Sequence, residues 1–215
     1  MFLSRWSLFV AGAVVLAGSP EGADGQAYVA LGASATYMSV GRANFQFPGA
    51  GFGVAGQARF GRGWLSLGVG GTMMNFPIEA QGGDFDLSGI FIEPRLTVEG
   101  LDPDGQFTPY AFARASWLSQ DGAVDRVPLT GEARVIGGGA GVLLRLTPRI
   151  AIDLGGHYSV MNLTDRTFDA EPRPDEDGSS IGAHIGAYLR LGGSDEIVEL
   201  ERRARAMAQP SRPRP

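Results

Sequence analysis

The chain has 215 residues and a formal net charge of −5; the length suits one domain, and the charge argues against nucleic acid as a partner. It has no cysteine, which excludes a disulfide framework and a thiolate metal site. Glycine is abundant, at 33 residues, and follows no collagen-like period.

Residues 1–27 are predicted to be a secretory signal peptide. Arg5 supplies the positive charge, Trp6–Leu16 the short apolar region, and Gly25-Gln26-Ala27 the small residues at the cleavage site. Cleavage is expected after Ala27, with Ala17 and Ala23 as alternatives. No later stretch is apolar for long enough to form a membrane-spanning helix.

Residues 28–192 are predicted to form an all-β domain, an eight-stranded antiparallel up-and-down transmembrane β-barrel. Aliphatic residues alternate with glycine or polar residues, most clearly in Ile181–Leu191, which indicates strands with two chemically different sides. The predicted strands are Ala27–Ser39, Gly51–Phe60, Trp64–Met74, Phe85–Val98, Thr108–Leu118, Ala133–Leu146, Ile150–Met161 and Ser179–Leu191.

The connections between these strands alternate in length. Short turns are expected at 61–63, 99–106 and 147–149, and long polar loops at 40–50, 75–84, 119–132 and 162–178. Long loops at one end and short turns at the other are typical of outer-membrane barrels in Gram-negative cells.

The two faces of the strands favour a lipid-facing exterior and a narrow, polar interior. Alternate residues of a strand lie on opposite faces. The face that carries the aliphatic residues has no charged residue, and the other face is rich in glycine. The alternative is a soluble, lipocalin-like barrel with an apolar interior and a polar exterior. Two aromatic girdles are expected at the membrane interfaces, from Tyr28, Phe60, Trp64, Phe107 and Tyr188 at one level and Tyr37, Phe76, Phe85, Trp117 and Tyr158 at the other.

Charged side chains on the inner parity are expected to form a lumen charge network, since lipid cannot stabilise them. We interpret this network as structural ion pairing; the alternative is a narrow, porin-like channel. Asp153 is predicted to pair with Arg145 across the 147–149 turn and with Arg190 on the last strand. The network comprises Arg59, Glu93, Arg95, Arg114, Arg145, Asp153 and Arg190.

An alternative hydrolase site is formed by His157, Ser159 and Glu171, which resembles the His, Ser and Glu of outer-membrane lipid A deacylases. Val160 departs from that family's pattern, which has Asn after the Ser, and the alternation of faces places His157 and Ser159 inside the barrel.

The acidic run 165–177 lacks the spacing of a Ca²⁺ loop and is interpreted as a solvated loop. No metal or cofactor is predicted.

Three short strings carry a family resemblance: Thr108–Ala113, Gly137–Gly141 and Ala151–Ser159. With them the chain resembles the outer-membrane β-barrel domain family, the small eight-stranded barrels of the outer-membrane protein A transmembrane-domain type. The resemblance implies a place in the cell outer membrane among its lipids, and the barrel-assembly machinery and periplasmic chaperones as partners. His184, Gly186, Leu189 and Leu191 resemble the family's assembly signal, although its usual terminal aromatic residue is absent.

Residues 193–215 are predicted to form a short periplasmic helix and a disordered tail rich in Pro and Arg. Ser194 could cap the helix, with Asp195 and Glu196 in its first turn. Docking of this segment on the barrel mouth or on anionic headgroups is left open.

The functional expectation is a non-enzymatic protein with an envelope-structural or surface-contact role through its loops, whose ligand the sequence does not identify.

Overall fold

The computed structural model describes residues 27–41, 49–78, 83–98 and 106–191. The predicted signal peptide up to residue 26, the 99–106 turn up to residue 105, and the predicted C-terminal helix and tail lie outside these residues. None of the described residues belongs to a helix that is long and apolar enough to cross a membrane.

The described residues form a closed antiparallel barrel. Each strand from β1 to β7 pairs with the next, and β9 pairs with both β7 and β1, which closes an eight-stranded wall. The two-residue strand β8 pairs only with the end of β7. The fold predicted from the sequence is therefore confirmed. The strands are β1 (Ala27–Val40), β2 (Gly49–Arg62), β3 (Leu65–Ile78), β4 (Gly83–Thr97), β5 (Phe107–Val124), β6 (Val127–Arg145), β7 (Ile150–Phe168), β8 (Glu171–Pro172) and β9 (Glu176–Arg190).

An uncharged apolar belt encircles the outside of the barrel. The aliphatic residues predicted to face lipid do point outward, and Tyr110 and Phe112 of β5 point inward, as predicted. Residues of the belt that expose 45% or more of their surface include Leu31, Phe52, Val54, Leu65, Met73, Leu96, Trp117, Ile136, Val160, Ile181, Ile185 and Leu189. Solvation by hydrocarbon explains why so many large apolar side chains lie on the surface.

Where the structure describes them, the predicted long loops 75–84, 119–132 and 162–178 consist largely of strands that continue the barrel wall, and most of the predicted loop 40–50 lies outside the described residues. β5 and β6 are joined by only Asp125 and Arg126, with φ of 51° and 71°. β7 turns into β8 through Asp169 and Ala170, with φ of 55° and 61°. Positive φ at both central residues gives turns whose twist matches that of the flanking strands. Likewise, β3 extends as far as Ile78, and β4 already begins at Gly83. We call this end of the barrel the hairpin end and the opposite one the turn end.

The polarity of the two faces reverses where the wall passes the belt. On the outside the residues become polar, as at Ser39, Asn75, Asp86, Asn162 and Arg134. Inside, an apolar layer fills the lumen, because a wall surrounded by water buries its apolar face inward. This layer consists of Met38, Val40, Met74, Phe76, Ile78, Phe85, Leu87, Leu118, Val124, Leu129, Ala133, Val135, Met161 and Leu163.

The apolar layer corrects two predictions. The lumen is not polar throughout, as expected, but apolar at the hairpin end. Phe76 and Phe85, predicted for the girdle, are 1% and 2% exposed and stack on each other inside, with ring centroids 4.9 Å apart. Tyr188 is also buried in the lumen. Five other residues predicted for the girdles are exposed on the outside: Trp64, Phe107, Tyr37, Trp117 and Tyr158.

Candidate functional site

Below the apolar layer, five of the seven predicted inward charges come together in the lumen. Arg59 of β2, Glu93 and Arg95 of β4 and Asp153 of β7 are each at most 2% exposed. Arg114 of β5 completes the group, and its side chain is 16% exposed. We call these five residues, with Tyr110 and His184, the charge cluster.

Glu93 is the centre of the charge cluster. Its Oε1 accepts from Arg59 Nη2 and, at 3.0 Å, from Arg95 Nη2. Its Oε2 accepts from Nε of Arg114 at 2.9 Å and from Nη2 of the same guanidinium, a bidentate arrangement. One fully buried carboxylate thus binds three arginines from three strands, and such charge-assisted bonds are among the strongest in proteins.

Asp153 extends the cluster across the lumen. Its Oδ2 accepts from Arg95 Nη2 at 3.0 Å, and its Oδ1 accepts from the Tyr110 hydroxyl. His184 Nε2 lies 3.1 Å from the Tyr110 hydroxyl and 3.5 Å from Asp153 Oδ2. β4 and β7 are not neighbours in the wall, so the Arg95–Asp153 pair joins strands that the backbone does not connect.

Uncharged side chains surround the guanidinium groups of the cluster. Arg95 lies over the Tyr110 ring, 3.7 Å from its centroid, and Arg114 lies 4.5 Å from that of Phe91. Arg59 donates to Ser66 Oγ at 3.0 Å and to Gln57 Oε1 at 2.9 Å. Aromatic faces and neutral acceptors stabilise cations that are removed from water.

Two glycines make room for the cluster. A Cβ at Gly155 would overlap the His184 ring, and one at Gly141 would overlap the Tyr110 hydroxyl. Both glycines lie on the inner parity, so the absence of a side chain lets polar groups of other strands occupy the lumen. The space that the cluster needs explains why glycine is frequent at the inward-facing positions of the strands.

The predicted partner of Asp153 was wrong. The turn pairs Arg145 with Ala151, and Asp153 faces Leu143, two residues farther from the turn end. No ion pair joins Asp153 to Arg145 in the described part of the chain. Arg145 is exposed near the turn end, and Arg190 lies 4.4 Å from the centroid of the Tyr28 ring. Asp153 reaches across the lumen to Arg95 instead.

The alternative hydrolase residues are not assembled into a site. His157 and Ser159 are 8% and 4% exposed inside the barrel, and His157 packs edge-on to Phe112. Glu171 pairs with Phe168 in the outer hairpin, nine residues along β7 from Ser159. At about 3.3 Å per residue this is roughly 30 Å, far beyond hydrogen-bond reach.

The remaining predicted residues are divided between the two faces. Of the assembly-signal residues, His184 and Gly186 point inward, and Leu189 and Leu191 are 45% and 56% exposed on the outside. Within the described residues, no group of three or more His, Asp or Glu is arranged to hold a metal ion. Sequence reasoning missed Tyr110, His184, Gln57 and Ser66 as partners of the charges, although parity already placed Tyr110 and His184 inside.

Comparison with known proteins identifies the fold. No protein-family model and no curated protein matches the chain. Neisserial surface protein A is 17% identical and matches with a TM-score of 0.54, over 76% of this chain and 96% of its own. OprG of Pseudomonas aeruginosa, at 12% identity and a TM-score of 0.43, matches over 81% of this chain and all of its own. Ail of Yersinia pestis, at 15% identity and a TM-score of 0.44, matches over 79% and all of its own.

The chain has the fold of the small eight-stranded outer-membrane barrels. A closed barrel with an uncharged apolar belt is a membrane-spanning structure, and barrels of this architecture belong to outer membranes. The protein therefore has the fold of an outer-membrane β-barrel, as the resemblance of its sequence implied.

The central position of Glu93 leads to a stability prediction. Glu93→Gln removes the charge that compensates three arginines, and we expect the free energy of unfolding to fall by about 3–5 kcal/mol. The measurement is urea unfolding of the folded barrel in phospholipid vesicles. Glu132→Gln, at an exposed outward position of β6, is the matched control and should change stability by less than about 0.5 kcal/mol. Equal effects of the two variants would show that Glu93 does not hold the cluster together.

Proposed function

We propose that this protein is a sealed, non-enzymatic barrel with an envelope-structural role, which exposes its long hairpins on the cell surface. The observation that carries this proposal is the filling of the lumen by two different layers. The hairpin end is then extracellular and the turn end periplasmic, as in barrels with long connections on one side. Insertion would depend on the barrel-assembly machinery and periplasmic chaperones.

The two layers oppose the passage of ions for different reasons. In the charge cluster, Arg95 forms ion pairs with both Glu93 and Asp153 and so joins β4 to β7 across the lumen. Above it, Phe76, Leu87 and Leu163 belong to an apolar layer, which a hydrated ion could enter only by losing its water. An eight-stranded barrel has an interior just wide enough for its own side chains. This arrangement favours a structural role over a narrow, porin-like channel.

The positions of the alternative hydrolase residues support a non-enzymatic role. A nucleophile and its base must lie within hydrogen-bond reach of each other and be open to the substrate. Ser159 and His157 are enclosed in the lumen, and Glu171 lies at the far end of the hairpin. Lipid A, which lies outside the wall, would not reach them.

The hairpins offer an acidic surface for contact with other molecules. Exposed Arg126, Arg134 and Arg173 are outnumbered there by carboxylates. A surface of this charge attracts cationic partners and repels polyanions. We infer that any surface contact involves a cationic partner. The exposed carboxylates are Asp84, Asp86, Asp121, Asp125, Glu132, Asp165, Asp169, Glu171, Asp175 and Asp177.

Sealing of the lumen can be tested by conductance. The purified protein, folded and inserted into a planar lipid bilayer, should give no current steps above those of the bare membrane, because both layers are closed. An open outer-membrane porin inserted in the same way is the control for detection. Reproducible single-channel openings would contradict the sealed barrel and favour the channel.

The structural role can be tested in cells that lack the gene. We expect increased uptake of a hydrophobic dye that an intact outer membrane excludes, and full restoration by both the natural protein and Ser159→Ala. Because a structural barrel needs no nucleophile, the two should restore the barrier equally at equal abundance. Failure of Ser159→Ala alone, accompanied by a change in the acyl chains of lipid A, would favour the hydrolase.

A further inference from the structure

A basic cavity lies at the turn end of the lumen, beneath the charge cluster. Its volume is about 190 Å³, and it is bounded by residues of β1, β2, β4, β5, β6, β7 and β9 and by the turn from Thr147 to Arg149. We call it the vestibule. Its described lining contains five arginines and no carboxylate. The arginines are Arg59, Arg95, Arg145, Arg149 and Arg190.

The innermost arginines of the vestibule have unused hydrogen-bond donors. Arg59 and Arg95 are 2% and 1% exposed, and Glu93 and Asp153 bind only some of their N–H groups. Arg59 Nε, Arg95 Nε and Arg95 Nη1 are buried without a hydrogen-bond partner. A buried donor on a charged group is costly to leave unsatisfied, so the two arginines at the inner end of the vestibule keep hydrogen-bonding capacity that their carboxylate partners do not use.

The charges around the vestibule favour an anion. Among the described residues, the five arginines of the lining outnumber the two carboxylates, Glu93 and Asp153, that lie behind it. The hydroxyl-bearing residues Tyr28, Thr97 and Thr108 also line the cavity. Guanidinium groups match the oxygens of carboxylates and phosphates in geometry as well as in charge. A water needs roughly 10–15 Å³ of such space, so the vestibule has room for an oxyanion with several waters.

We propose that the vestibule is an oxyanion-binding site for carboxylate or phosphate groups. This inference goes beyond the proposed structural role and does not depend on it. One source of the oxyanion is the chain itself, because residues 195–201 contain Asp195, Glu196, Glu199 and Glu201. Asp195 follows the end of β9 by five residues, a reach of up to about 17 Å from the rim of the vestibule. The other source is a diffusible anion of the periplasm, such as inorganic phosphate.

The experiment measures inorganic phosphate binding by calorimetry, with the full chain in neutral detergent at low salt. Two sets of substitutions are compared with the natural protein. The first, Arg145→Gln with Arg149→Gln, removes two exposed arginines of the lining that lie outside the charge cluster. Its matched control is Arg126→Gln with Arg134→Gln at the hairpin end. The second neutralises the acidic segment, through Asp195→Asn, Glu196→Gln, Glu199→Gln and Glu201→Gln.

The two sources predict different results. If a free anion occupies the site, the natural protein and the segment-neutralised variant should bind phosphate equally, and loss of Arg145 and Arg149 should weaken binding about tenfold or more. If the chain's own carboxylates occupy it, phosphate should bind only after the segment is neutralised, and adding Arg145→Gln and Arg149→Gln should abolish that binding. The proposal is overturned if neither form binds phosphate saturably. It is also overturned if the vestibule variant binds as tightly as its hairpin-end control.

Discussion

A charge inside a narrow barrel that is surrounded by lipid must be compensated from within the lumen. Hydrocarbon cannot solvate it, and the side chains that fill the interior leave little room for water. Here Glu93 lies between Arg59, Arg95 and Arg114, and Asp153 accepts from the same Nη2 of Arg95 that donates to Glu93. The partners come from β2, β4, β5 and β7, so compensation of charge also connects opposite walls. The rest of the lumen, including the glycines that give way to the cluster, is arranged around this requirement.

The second constraint is the boundary between lipid and water along each strand. Within the belt, apolar side chains face outward and the charges are enclosed. Past the belt the same strands continue with the faces exchanged, so that Leu118, Leu129 and Leu163 are buried inside. The barrel is thus a membrane protein over one part of its length and has the core of a soluble β-barrel over the other. Two layers of side chains fill its lumen, one held together by ion pairs and the other by apolar packing.

The sequence predicted what depends on one strand alone. Period-two alternation is local, and it correctly placed Arg59, Glu93, Arg95 and Asp153 inside the barrel. The choice of partners was not predictable in this way, because Arg95 and Asp153 belong to strands that do not pair. Their relative height depends on the tilt and stagger of the whole barrel. The error at Arg145 has a local cause: the turn pairs Arg145 with Ala151, so Asp153 lies two residues farther along its strand, opposite Leu143.

The hairpins were mistaken for loops for a different reason. Their turns, Asp125-Arg126 and Asp169-Ala170, lack the glycine that usually marks such turns, and their outward residues are polar. A polar stretch beyond the membrane has the composition of a loop even when its other parity carries a core. Beyond the belt the apolar residues of each strand point inward and the polar residues point outward. A rule that assigns every apolar residue to the lipid-facing side is therefore wrong past the boundary between lipid and water.

The most direct test of the charge cluster is a double-mutant cycle on the pair that crosses the lumen. The free energy of unfolding in vesicles would be measured for Arg95→Gln, Asp153→Asn and the double variant. Each single change leaves a buried charge without its partner, so the double variant should be more stable than the sum of the single effects predicts, by about 1–3 kcal/mol. Additivity within about 0.5 kcal/mol would show that the two residues do not interact, and would contradict the compensation of charge across the lumen.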